Sequence, residues 1–185
     1  MKTLISFLDE VVEIVPWLIV AWLIFGFATM ASAADKELSY EEKVVALTIL
    51  GEARGEKEIG MYAVGCVIQA RADKDGKKLS TICLAEKQFS IWNNGKTIQD
   101  LKYLWGSPSA PYAIRLARAM CQGHKLAQTH TGNADHYYSK KIMKRPPSWA
   151  YKIDKRTGKF LRDKKGNKIP VKPTKVIGNH VFYNL

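Results

Sequence analysis

The pattern of apolar and polar positions is helical through the first part of the chain. The run Ser-Tyr-Glu-Glu at residues 39–42 is typical of a capping box, in which Ser39 and Glu42 each accept from the other's backbone amide. It predicts a helix that begins at Tyr40, continues through the apolar residues 44–49 and ends near Gly55.

Two further helices and two strands are predicted beyond it. One helix covers about residues 58–71 and is broken by the polar run at residues 73–76. The next covers about residues 111–122, with Ser109 as its cap and Gly123 at its exit. Short aromatic runs at residues 136–138 and 181–183 predict strands. Helices followed by a small antiparallel sheet give an α+β fold.

The first 34 residues differ in character from the rest. Residues 14–34 form a run of 21 residues without a charge, long enough to cross a bilayer as a helix. The Ala-Ser-Ala sequence at residues 31–33 has the form of an export cleavage site. We therefore expect residues 1–34 to be a signal peptide or a membrane anchor, and the protein to be exported: anchored in the inner membrane, periplasmic or secreted. Residues 35–185 then form one domain.

The positive charge is confined to one region. The net charge is +12, and residues 140–175 hold 14 Lys and Arg against Asp154 and Asp163, so the other residues balance. Two turn signals within residues 152–175 predict a basic hairpin or loop. Such a region is typical of a surface for anionic envelope polymers or lipids, and equally of a solvated loop. We expect no nucleic acid, because the protein is exported and this region lacks ordered aromatic platforms.

Few residues have the spacing of a known catalytic or ligand-binding motif. The four histidines lack the spacing of metal ligands, and there is no phosphate loop, dinucleotide fingerprint or nucleophile elbow. The three cysteines, Cys66, Cys83 and Cys121, lie in apolar helical context, and an odd number excludes a fully paired disulfide scaffold. We therefore expect neither a metal nor a cofactor.

The carboxylates of the sequence Gly-Glu-Ala-Arg-Gly-Glu at residues 51–56 are the strongest catalytic candidates. Glu52 lies on the helical stripe of Thr48 and other buried-type residues, and Glu56 follows one turn later. Burial, the negative end of the helix dipole and a like charge all favour the protonated form, which a general acid needs. The alternative is a solvated acidic helix end paired with Arg54 and Lys57.

Four ordered motifs resemble the SleB/CwlJ family of cell wall hydrolases, which includes spore cortex-lytic enzymes and phage lysis proteins. They are the run at residues 51–56, Gln-Phe-Ser at residues 88–90, His-Tyr-Tyr at residues 136–138 and Ile-Gly-Asn-His-Val-Phe-Tyr at residues 177–183. The resemblance implies a lysozyme-like or transglycosylase-like domain that acts on the glycan strands of peptidoglycan, with Glu52 as the catalytic acid. Glu56 then shapes the turn or the pKa of Glu52.

The mechanism that we favour needs one carboxyl. A lytic transglycosylase protonates the glycosidic oxygen and then takes a proton from the C6 hydroxyl of muramic acid, and one carboxyl can perform both steps. A hydrolytic muramidase or glucosaminidase needs a second carboxylate. Asp135 is the candidate for it, and Glu58 and Glu86 are weakly placed. A non-catalytic, basic wall-binding protein is the hypothesis from another class.

The other motif residues are candidates for the sugar groove. Gln88, Ser90 and Tyr137 can hydrogen-bond sugars, while Phe89 and Trp92 can stack on a sugar ring or belong to the core. His180 can fix a neighbouring loop or touch the substrate. Two features depart from the family: Ser139 stands where many relatives have asparagine, and the interval from Trp149 to Ile177 is longer than usual and contains the basic insert at residues 152–175.

Overall fold

A helix with a fully buried middle, α1 (Tyr40–Ala53), forms the centre of the domain. The structure, a computed structural model, describes residues 37–185. The predicted capping box is confirmed, because Ser39 Oγ accepts from the Glu42 amide at 3.3 Å and Glu42 Oε2 accepts from the Ser39 amide at 2.7 Å. Residues 44–50 are buried all round, so α1 is enclosed on every side rather than amphipathic.

Three more helices pack around α1, and it contacts each of them. They are α2 (Lys57–Asp75), α3 (Leu79–Leu84) and α4 (Ala110–Cys121). Helix α2 extends beyond its predicted end near residue 71, because it continues to Asp75 and ends at Gly76, the last residue of the polar run that was predicted to break it, in the left-handed conformation. Ser109 occupies the cap position of α4 but makes no capping bond, since its hydroxyl donates to the Arg54 carbonyl at 3.2 Å. Short 3₁₀ helices lie at Ser90–Gly95, Lys102–Gly106, Gln128–His130 and Ser148–Ala150.

A small antiparallel sheet completes the α+β fold that the sequence predicts. Its strands are β1 (His136–Ser139), β2 (Lys175–Ile177) and β3 (His180–Tyr183), in the order β1-β3-β2. One face, with Tyr137 and Phe182, packs against Ala63 and Val67 of α2. The other face packs against the segment that contains Trp149 and Val171. The sheet is therefore covered on both faces.

The basic segment folds into a closed arrangement that we call the three-way junction, residues 150–171. Its stem pairs Ala150 with Val171, and two hairpins extend from it with turns at residues 154–159 and 163–167. Three residues meet at the centre in a ring of backbone hydrogen bonds: Lys152 donates to Ile169 at 2.8 Å, Ile169 to Leu161 at 2.9 Å and Leu161 to Lys152 at 2.9 Å. The predicted hairpin or loop is thus two hairpins on a common stem.

The segment predicted as a signal peptide or anchor, residues 1–34, lies outside the described residues. Within residues 37–185, none of the helices has both the length and the apolar character that crossing a bilayer requires.

Candidate active site

A cavity of about 680 Å³ opens where the C-terminal end of α1 meets the sheet. Glu52 lines it together with Gln88 and Ser90 from the loop after α3 and with Tyr137 and His180 from the sheet. These residues come from all four of the sequence motifs, which are separated by up to 128 positions along the chain. The fold therefore brings most of the predicted site residues together.

The Glu52 carboxylate is held at this site by three hydrogen-bond donors. Its Oε1 accepts from the Ser90 hydroxyl at 2.9 Å and from the Ile91 amide at 3.1 Å, and its Oε2 accepts from the Tyr137 hydroxyl at 3.0 Å. A hydroxyl can donate or accept, so a protonated Glu52 can turn Ser90 or Tyr137 into its acceptor. Only the Ile91 amide must donate. The site can therefore hold the carboxyl in one position in both protonation states.

Gly51 explains how the Ile91 amide comes so close to Glu52. A Cβ atom at position 51 would lie 2.6 Å from Cβ of Ile91 and 2.7 Å from its Cδ1, distances that real Cβ contacts do not show. The loop can lie against α1 only because residue 51 has no side chain. Gly55, the second glycine of the motif, has no atom within 4 Å of its own Cβ position.

Tyr137 is kept in its protonated form by its surroundings. Burial of the hydroxyl, followed by the charge of Glu52, raises the pKa of Tyr137 well above its usual value, so the phenol stays protonated. Its ring packs edge-on against His180, with ring centroids 4.9 Å apart, and against Phe182 at 5.6 Å.

His180 is a buried, neutral member of the cavity wall. Burial lowers its pKa, although the charges of Glu56 and Glu52 oppose this effect. Its Nδ1 atom is buried and has no hydrogen-bond partner within residues 37–185. Of the two roles left open for His180, a hydrogen bond from Nδ1 to a neighbouring loop is therefore not observed, whereas the ring does line the cavity.

Glu56 lies in the same cavity but has a structural partner. Its Oε2 accepts from the Asn179 backbone amide at 2.9 Å, and its Oε1 accepts from the Asn179 side-chain amide at 2.8 Å. Burial raises the pKa of Glu56, but these two hydrogen bonds outweigh it, and the net pKa lies below the ordinary value. Glu56 is thus a carboxylate that joins the start of α2 to the turn between β2 and β3.

Cations and an aromatic wall surround these two carboxylates. Arg54, Lys87 and Lys141 all line the cavity, as do Trp149 and Ser139. The sequence motifs gave no indication of Trp149 or Lys141, because both lie in a segment without helical or strand periodicity. The signal that was available is the sequence Pro-Pro-Ser-Trp at residues 146–149, in which two prolines restrict the backbone just before the tryptophan.

Three predicted site residues are not brought to this cavity. Phe89 is 2% exposed and belongs to the core, with the guanidinium of Arg71 lying 5.3 Å from its ring centroid. Trp92 faces α1 from the other side of the loop and donates its indole N–H to Thr48 at 2.8 Å. A groove role for either ring is therefore not supported by its position.

Asp135 is the third of these residues. Its carboxylate accepts from Lys74 at 2.8 Å, from the His136 ring at 2.8 Å and from the Leu185 amide at 3.0 Å. Burial raises the pKa of Asp135, but these three partners lower it below the usual value. The geometry gives Asp135 a structural role at the end of the sheet. Glu58 and Glu86 are both exposed and do not line the cavity either.

The three cysteine thiols lie outside the cavity. Burial raises the pKa of Cys66, Cys83 and Cys121 to about 12, so all three stay protonated at neutral pH. No group of three or more His, Cys, Asp or Glu side chains converges as metal ligands in the described part of the chain.

Comparison with known proteins gives one match. A family model described as cell wall hydrolase matches residues 55–183, which is more than half of the chain. No curated protein and no solved structure matches the chain. The match begins three residues after Glu52, so any role for Glu52 is argued from the geometry of the cavity.

Proposed function

Because the chain belongs to the cell wall hydrolase family, we propose that its cavity cleaves the glycan strands of peptidoglycan by a lytic transglycosylase mechanism, with Glu52 as the general acid and base. The observation that carries this proposal is the position of Glu52. Its carboxyl faces an open cavity while Ser90, Ile91 and Tyr137 hold it in place. The expected export would bring the domain to the wall outside the cytoplasm.

The reaction requires Glu52 to donate one proton and then to accept another. Glu52 protonates the glycosidic oxygen, the bond from C1 of the muramic acid breaks, and C1 becomes electron-deficient. The Glu52 carboxylate then takes the proton of the C6 hydroxyl, whose oxygen bonds to C1 and closes a 1,6-anhydro ring. No water is consumed. The hydroxyls of Ser90 and Tyr137 support both steps, because each can donate to the carboxylate or accept from the carboxylic acid.

A second candidate is hydrolysis by the same site. It is favoured by Glu56, an ionised carboxylate in the cavity that could activate a water molecule. Against it, both oxygens of Glu56 already accept hydrogen bonds from Asn179. We therefore prefer the scheme with one carboxyl.

Product analysis in ¹⁸O-labelled water separates the two candidates. The full chain and its Glu52→Gln, Glu56→Gln and Glu86→Gln variants are incubated with purified sacculi, and the released fragments are identified by mass spectrometry. Glu86 is the matched control, since it is an exposed acid outside the cavity. Unlabelled anhydro-muramic ends that disappear only in Glu52→Gln would support the proposal.

Other results would refute it. Reducing ends that carry ¹⁸O and are lost in both Glu52→Gln and Glu56→Gln would identify a hydrolase with two carboxylates. Full activity of Glu52→Gln would remove Glu52 from the mechanism. Sacculus binding without any release by the wild type would favour the wall-binding protein.

A further inference from the structure

Outside the cavity, the three-way junction, residues 150–171, carries a large net positive charge. It carries eight Lys and Arg against two acids, Asp154 and Asp163, and all eight cations are exposed. This short segment therefore supplies six of the twelve net charges of the protein.

The two acids do not neutralise the cations around them. Asp154 Oδ1 accepts from the amides of Arg156 and Thr157 at 2.8 and 3.1 Å, and Asp163 accepts from Lys165 and Asn167 in the same way. Both carboxylates are thus used to form the two turns. No salt bridge within residues 37–185 joins any of the eight cations to an acid.

The junction also presents its charge at two defined places. The ring of hydrogen bonds among residues 152, 161 and 169 separates the hairpins, and each turn carries an adjacent pair of cations, Lys155 and Arg156 in one and Lys164 and Lys165 in the other. The exposed apolar side chains, Ile153 and Leu161, lie at the base of the hairpins. The turns themselves have no apolar residue to enter a bilayer, and this favours a hydrated polyanion over a lipid surface.

The junction is joined directly to the wall of the cavity. Trp149 lines the cavity, and the next residue, Ala150, accepts from the Val171 amide at 2.9 Å to close the stem. Trp149 and Val171 both pack against the buried cluster of Ala150, Val181 and Tyr183. A polymer that occupies the cavity therefore lies beside the stem from which the two hairpins extend.

We propose that the three-way junction binds the carboxylates of the peptide stems of peptidoglycan, outside the cavity, and so holds the protein on its polymer between cleavage events. This inference rests on the proposed function, since that function makes peptidoglycan the polyanion in contact with the domain. Charge complementarity supplies the attraction, over a range of about 8 Å at physiological salt.

The test measures binding separately from cleavage. All proteins are full chains in non-ionic detergent that also carry Glu52→Gln, so that the polymer stays intact, and binding to purified sacculi is measured by co-sedimentation. One variant adds Lys155→Gln and Arg156→Gln, and a second adds Lys164→Gln and Lys165→Gln. The matched control adds Lys78→Gln and Lys102→Gln, which remove the same charge from exposed positions elsewhere. We expect each turn variant to bind roughly tenfold more weakly at low salt, and the control to bind like its parent.

Chemically altered sacculi identify the bound group. Conversion of the stem carboxyls to neutral amides should abolish the difference between the turn variants and the control. Removal of attached phosphate polymers should leave that difference unchanged. Equal binding by the turn variants and the control would overturn the inference, as would a difference that depends only on the phosphate polymers. Failure of the proposed function appears elsewhere, as the absence of released fragments from wild-type protein.

Discussion

The close approach of Gly51 to Ile91 can be tested by substitution, because Gly55 in the same motif provides a control. In an open helical position, Gly→Ala stabilises a protein by about 1 kcal/mol. At Gly51 the new Cβ would overlap three side-chain atoms of Ile91, and overpacking of this kind costs about 1–3 kcal/mol. Gly55→Ala adds the same methyl group where no atom lies within 4 Å.

The magnitude follows from how far Ile91 must move. Relief of the overlap needs a shift of about 1 Å, which would lengthen the 3.1 Å hydrogen bond from the Ile91 amide to Glu52 beyond bonding distance. A hydrogen bond to a charged group contributes about 1.5–3 kcal/mol. We therefore expect Gly51→Ala to lower the free energy of unfolding by about 2 kcal/mol net, a fall in Tm of about 4–8 °C for a domain of this size.

Activity should fall further than stability. A misplacement of about 1 Å at a catalytic group can cost about 100-fold in rate, so release of fragments from sacculi should drop by one to two orders of magnitude. Thermal unfolding followed by circular dichroism and the sacculus assay are run on both alanine variants. Gly55→Ala should stay within about 0.5 kcal/mol of wild type in its free energy of unfolding. A Gly51→Ala protein with wild-type Tm and activity would refute the packing argument.

Three further predictions concern Tyr137, Glu56 and Asp135. Tyr137→Phe removes one donor to Glu52 and keeps the packed ring, so kcat on sacculi should fall about 10- to 100-fold, and the loss of one hydrogen bond to a charged group should lower the free energy of unfolding by about 1.5–3 kcal/mol; an unchanged kcat would contradict this role. The pKa of folded Glu56 lies below its ordinary value of 4.5, so its bonds to Asn179 stabilise the fold above that pH and are lost as pH falls through the lower, folded value. The difference in Tm between wild type and Glu56→Gln should therefore shrink on acidification below 4.5, and a constant difference would argue against it. Asp135→Asn should lower the free energy of unfolding by about 1.5–3 kcal/mol with kcat per folded molecule unchanged; a loss of kcat at unchanged Tm would restore Asp135 as a catalytic carboxylate.

A local signal in the sequence was sufficient to predict where α1 begins. The capping box at Ser39 depends on residues three positions apart, and the structure confirms it. The end of α2 was placed about four residues too early, near residue 71, because charged residues can continue an exposed helical face, and within the run at residues 73–76 only Gly76 ends the helix. Strand β2 was not predicted, since two of its three residues are exposed and it exists only by pairing with β3.

The sequence motifs indicated several residues that line the cavity, but not the contacts between them. Glu52 was selected from its helical stripe, but the amide that holds it belongs to Ile91, 39 positions away, and nothing local indicates that contact. Phe89 and Trp92 are aromatic residues beside cavity residues in sequence, yet they face the core and α1. In a 3₁₀ turn, neighbouring side chains point in different directions, and the sequence does not reveal which of them faces the cavity.

The ring of hydrogen bonds at the base of the three-way junction has a consequence for how such a protein can change. Each hairpin is closed by its own turn, and the ring belongs to residues 152, 161 and 169 rather than to either tip. A tip can therefore be lengthened, shortened or exchanged for a foreign peptide while the stem still begins beside Trp149. The length and the charge of each tip can thus vary independently of the residues that line the cavity.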